Sequence, residues 1–99
     1  RVGCDAPLEL VDATVYAAAA VAPAADLVVV SGDVVWHHAG SQDEALDTFS
    51  RVAASLGRAF PEATPVCIAL GNNDVWPDYA TDVSNQSYYE RQASAASAL

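Results

Sequence analysis

The chain has 99 residues, enough for one small domain, and sets four Arg and no Lys against 13 acidic residues, for a formal net charge of −9. That balance excludes a protein that grips nucleic acid through a basic face, and it disfavours adhesion to an anionic membrane surface. No apolar run is long enough for a transmembrane segment, and an acidic chain that handles phosphate compounds needs a local positive charge, which bound metal can supply.

The chain opens on Arg1 without a Met, so it is expected to be an internal piece of a longer protein, and no signal peptide is in view. Asp5 before Ala6-Pro7 reads as an N-cap followed by a first-turn proline, and Leu8, Val11, Val15 and Ala18 recur at helical spacing. A helix over residues 7–21 is expected, ended by Pro23. Leu27-Val28-Val29-Val30 is a β-branched run of the kind found in a parallel strand buried on both faces. Ser41 and Glu44 form a capping box. The helix they open carries Leu46, Phe49, Val52, Ala53, Leu56 and Phe60 on one face, with Arg51 and Arg58 off it, and Pro61 stops it. Val66-Cys67-Ile68-Ala69-Leu70 reads as a second buried strand, and one intervening helix makes the three elements a β-α-β unit with parallel strands. A weakly patterned helix is expected over residues 85–96. The fold class is therefore α/β. The core draws on fewer large residues than the 53% hydrophobic content suggests, because 21 of the 99 residues are Ala.

In an open parallel sheet, ligands collect beyond the carboxyl ends of the strands. The first strand ends in Ser31-Gly32-Asp33 and runs on to Trp36-His37-His38; the second ends in Gly71-Asn72-Asn73-Asp74 and runs on to Val75-Trp76-Pro77. Each strand thus delivers a Gly and then an oxygen-bearing side chain to one edge. Taken singly these residues have plain readings: Asp33 a turn residue, Asn72-Asn73-Asp74 a self-satisfied turn, the two histidines a solvated loop. Their joint placement at one edge is what points to a site. Asn85-Gln86-Ser87 is a glycosylation sequon, meaningful only in a secreted protein, and two cysteines do not fix a redox compartment.

Gly32-Asp33 followed by Gly71-Asn72 resembles the second and third signature blocks of the calcineurin-like metallophosphoesterases. Cys4-Asp5-Ala6-Pro7 looks like the Cys-Asp-Ser-Pro block of the acid-sphingomyelinase-like phosphodiesterase branch, in which a His follows the Asp by four residues, as His37 follows Asp33. The stretch from Leu70 to Pro77 is similar to the Gly-Asn-Asn-Asp-Val-x-Pro form of endopolyphosphatase-like members. The resemblance runs from residue 3 to about residue 80.

The resemblance implies a partial phosphoesterase domain over residues 1–99, the β-α-β part of a four-layer αββα sandwich, without the Asp-x-His block expected before Cys4 or the later His blocks. It implies a hydrolase of phosphodiester or phosphoanhydride bonds working through two divalent metal ions, zinc foremost. Asp33 would bridge the metals and Asn72 would ligate the second. His37 would lie near the phosphate, with His38 as second choice. Asn73 stands where the family usually places a catalytic His, and an amide cannot act as a general acid. Sphingomyelin-like lipid, nucleotide and polyphosphate substrates all remain open. A secreted, lysosomal or vacuolar location is also implied. Cys4 resembles a disulfide cysteine with an upstream partner; Cys67 reads as a small buried hydrophobe, with a Cys4–Cys67 bridge as the alternative. Trp36 and Trp76 line a groove or pack under the loops. A fold-retaining module without catalysis is the competing reading, favoured by Asn73. A nucleotide-binding doubly wound domain is a third, weakened because neither strand is followed by a glycine-rich phosphate loop.

Overall fold

A computed structural model describes residues 5–77, 79–80 and 82–98. Within them run α1 (Leu8–Val21), β1 (Val28–Val30), α2 (Gln42–Ala59), β2 (Val66–Ile68) and α3 (Gln86–Ala95), with a short 3-10 turn at Ala96–Ala98. The strands are parallel, Val28 opposite Val66, Val29 opposite Cys67 and Val30 opposite Ile68, so the described chain is a small α/β unit with a helical crossover.

α2 is the hub. Ser41 is extended and its Oγ accepts the Glu44 N–H at 3.2 Å, as the capping box requires, but the Glu44 carboxylate reaches back to the Gly40 N–H at 2.8 Å and so closes the box one residue early. Asp43 and Glu44 in the first turn and Arg58 in the last complement the helix dipole. Phe60 turns extended ahead of Pro61, which ends the helix. The apolar face feeds three clusters. Val52, Leu56 and Phe60 pack with Val11 and Val15 of α1 and with Val28, Val30, Val66 and Ile68 of the sheet. Phe49 and Ala45 hold Val35 and Ala39 of the loop after β1. Leu46 packs with Val75 and Tyr88. Burying each large side chain in these clusters contributes roughly 1.5–3 kcal/mol.

α1 begins at Leu8, with Pro7 at the cap position and no side-chain cap bond. Asp5 is therefore not the N-cap: it lies two residues short of the cap, and its carboxylate is bonded elsewhere, to His37. None of the helix's residues is fully buried, because an alanine-rich stretch has little to bury. A polar tie helps hold it to α2: Ser55, wholly buried, donates to Asp12, and Arg58 Nη2 lies 3.6 Å from the same carboxylate.

The two strands are not buried on both faces. Both helices that pack on the sheet lie against the side carrying Val28, Val30, Val66 and Ile68. Alternation then turns Val29, 68% exposed, and Cys67 to the other side, the side that Leu27, also exposed, shares by alternation with Val29. Cys67 is thus an exposed free thiol and not a buried hydrophobe. Cys4 lies outside the described residues. Among the described residues, no helix is long and apolar enough to cross a membrane.

Candidate functional site

The loops that leave β1 and β2 cross at a pair of glycines. Gly32 has φ +96°, and a Cβ there would come within 2.5 Å of the Gly71 nitrogen and 3.0 Å of the Ala69 oxygen. A Cβ on Gly71 would in turn occupy the space of the Asp33 carboxylate. Only residues without a side chain allow this approach, and it sets Asp33 directly over the second loop.

One carboxylate staples the crossing. Asp74 is 0% exposed, and its Oδ2 accepts the N–H groups of Asp33 at 2.8 Å and Gly71 at 2.7 Å, while Oδ1 accepts those of Val34 and Val35, each at 2.9 Å. Four backbone donors answer one buried carboxylate, which removes the penalty an unpaired charge would incur there. The Asp74 carbonyl is covered as well: it accepts the Tyr88 hydroxyl at 2.7 Å and Gln92 Nε2 at 2.6 Å. Burial, and after it the nearby Asp74 charge, push the Tyr88 phenol above its ordinary range.

Held this way, Asp33 adopts φ +56°, a left-handed conformation that Asp tolerates better than most residues, and its Oδ1 accepts the Asn73 N–H at 3.1 Å. A run of side-chain contacts leads on from there. Asn72 Nδ2 donates to Asn73 Oδ1 at 2.9 Å, Asn73 Nδ2 lies 3.3 Å from His37 Nε2, and His37 Nδ1 lies 2.7 Å from Asp5 Oδ1. The hydrogen bond from His37 is the main cause that holds the Asp5 carboxyl below the usual aspartate range. His38 also has positive φ, +61°, and its ring centroid is 6.4 Å from that of His37. Trp76 donates its indole N–H to the Ala39 carbonyl at 3.0 Å, so it ties the two loops together at their far ends. Trp36, Asp5 and Asp33 line a cleft of about 570 Å³ whose floor is apolar, with Val30, Val52 and Leu56 among its residues.

Asp33, Asn72, Asn73 and His37, singled out from sequence, therefore meet at one edge, with His38 adjoining. Asn85 stands apart as the N-cap of α3, where its Oδ1 accepts the Tyr88 N–H at 3.2 Å and the Ser87 hydroxyl at 3.0 Å. Two residues escaped the sequence reading: Asp74 as the staple and Asp5 as the partner of His37. The signal for Asp74 was its place between a polar turn and the apolar Val75, which marks a residue turning inward.

The Asp33 carboxylate and the Asn72 side-chain oxygen are hard donors suited to a divalent cation, and they fit as two members of a larger ligand set. Among the described residues no group of three or more His, Cys, Asp or Glu side chains is placed to hold a metal ion. Compared with protein-family models, with curated proteins and with solved structures, the chain matches none.

Proposed function

We propose that this chain carries the middle of a two-metal phosphoesterase site of the calcineurin-like kind, on the acid-sphingomyelinase-like branch, and forms the β-α-β part of an αββα sandwich. The observation that supports this most is the bond between Asp33 Oδ1 and the Asn73 N–H, which joins residues 40 positions apart, with His37 reaching the same asparagine. The metal ions, zinc foremost, would polarise phosphoryl oxygens and activate water. Asp33 would hold both ions through its carboxylate and Asn72 one of them through its amide oxygen. His37 presents Nε2 at this edge, where it would move a proton or stabilise developing charge. Asn73 cannot do acid–base work, and its amide instead braces the imidazole. The remaining ligands would come from other parts of the complete protein.

The substrates that fit are phosphodiesters or phosphoanhydrides carrying lipid, nucleotide or polyphosphate groups, with secretion or a lysosomal or vacuolar home. The exposed Asn85 sequon suits that setting. The test is hydrolysis of a generic aryl phosphodiester by the complete protein with added Zn²⁺. Asp33→Asn should abolish it, and unchanged turnover would sink the assignment. Release of phosphate from polyphosphate in preference to the aryl diester would favour the endopolyphosphatase-like alternative. A binding module that kept the fold without the chemistry is the second reading, and the observation for it is Asn73 where a catalytic His is usual. Calorimetric titration decides between them, since two tight Zn²⁺ sites support the enzyme.

A further inference from the structure

The contacts around His37 have a direction. Asn73 Oδ1 accepts from Asn72, which leaves the Asn73 amide nitrogen, a donor only, facing His37 Nε2 at 3.3 Å. A donor at Nε2 requires a lone pair there, so the ring proton belongs on Nδ1. The Asp5 carboxylate, an acceptor only, lies 2.7 Å from that nitrogen. Both neighbours thus ask for the same tautomer, and they come from opposite ends of the fold: Asp5 precedes α1, while Asn73 follows β2. A carboxylate that orients an imidazole through Nδ1–H, so that Nε2 faces the chemistry, is a general way to make a histidine a directed base.

We propose that Asp5 is a positioning residue for His37, fixing the neutral Nδ1–H tautomer so that the Nε2 lone pair, which accepts from Asn73 at the edge where Asp33 and Asn72 lie, becomes the proton acceptor when a substrate or water displaces that amide. This rests on the phosphoesterase reading, which gives Nε2 its task. Asp5 and Asp33 also line one cleft in common. The helix start loses nothing by this use of Asp5, because α1 begins without a side-chain cap.

The test pairs a spectroscopic readout with a kinetic one, in the intact chain. Long-range ¹H–¹⁵N correlation above pH 8, assigned with His37→Gln and His38→Gln, should show His37 as the Nδ1–H tautomer. Asp5→Ala, at an exposed position outside the packed core, should convert it to a mixture containing Nε2–H. Asp5→Asn should do the same, since an amide donates as readily as it accepts. In the complete protein Asp5→Ala should lower kcat by roughly 10–100-fold with KM little changed. A wild-type His37 protonated at Nε2, a tautomer unmoved in Asp5→Ala, or a loss confined to KM each overturns the proposal. Absence of turnover in the unsubstituted complete protein overturns the phosphoesterase reading instead, and the tautomer decides the placement of Asp5 by itself.

Discussion

The two loops at the carboxyl edge have similar sequences, each a Gly followed by acidic or amide residues and then a Trp, yet they do opposite work. The loop after β1 is exposed at Asp33, His37 and His38 and twice enters left-handed backbone at a non-glycine residue. The loop after β2 is sunk into the fold at Asn73, Asp74 and Val75. One loop presents side chains and the other holds them. The cost of the first loop's unusual backbone, of order 1 kcal/mol or more per residue, is offset by the bonds that Asp74 makes to Asp33, Val34 and Val35. The aspartates of the two loops therefore differ in kind: Asp74 is buried under four backbone donors, and Asp33 is exposed at the edge.

The sharpest way to break that contrast is to make the same change in both. Asp74→Asn puts an amide NH₂ against backbone N–H groups that now bond a carboxylate, and should cost about 3 kcal/mol or more, read as a lowered denaturant midpoint. Asp33→Asn keeps an oxygen for the Asn73 N–H and should move stability by no more than about 0.5 kcal/mol while Zn²⁺ binding is lost in calorimetry. Equal destabilisation by the two changes would erase the division of labour. Gly71→Ala comes next: its methyl would displace the Asp33 carboxylate, so Zn²⁺ affinity in the complete protein should fall roughly 10–100-fold, with a folding loss of about 1–3 kcal/mol.

Tyr88 gives a small effect with a pH signature. Its phenol is buried, bonded to the Asp74 carbonyl, and raised above the usual tyrosine range. A raised value means that the neutral form is favoured by folding, so its contribution is complete below about pH 10 and is lost as pH climbs through the raised value. Tyr88→Phe should cost about 1 kcal/mol at neutral pH, and its midpoint should fall less steeply than the wild type's above pH 10.

Much of this was legible in the residues. The capping Ser41, the helical spacing from Leu46 to Phe60 and the Pro61 stop gave α2 its bounds, because local rules and burial agree along it. The placement of Asp33 and Asn72 followed from strand ends, and the choice of His37 from the family resemblance. The failures have a shared cause. Asp5 satisfied every local rule for a cap and was claimed by a distant histidine, and Asp74 gave no local sign that its four donors come from two loops. A β-branched run reads alike whether one face or both are covered, so Val29 and Cys67 were assigned to an interior that the described residues do not build. Long-range hydrogen bonding and the number of layers are tertiary facts, outside the reach of spacing.

That open side of the sheet also governs how copies of this chain behave toward one another. Leu27 and Val29 leave apolar surface on a two-stranded sheet whose outer edges carry no partner among the described residues, a combination that invites sticking. At neutral pH the formal charge of −9 supplies mutual repulsion. Salt near 1 M shortens the reach of that repulsion to about 3 Å, and acidification into the carboxylate range abolishes it. Colloidal behaviour should therefore follow ionic strength: dispersed in dilute neutral buffer, clustered in brine.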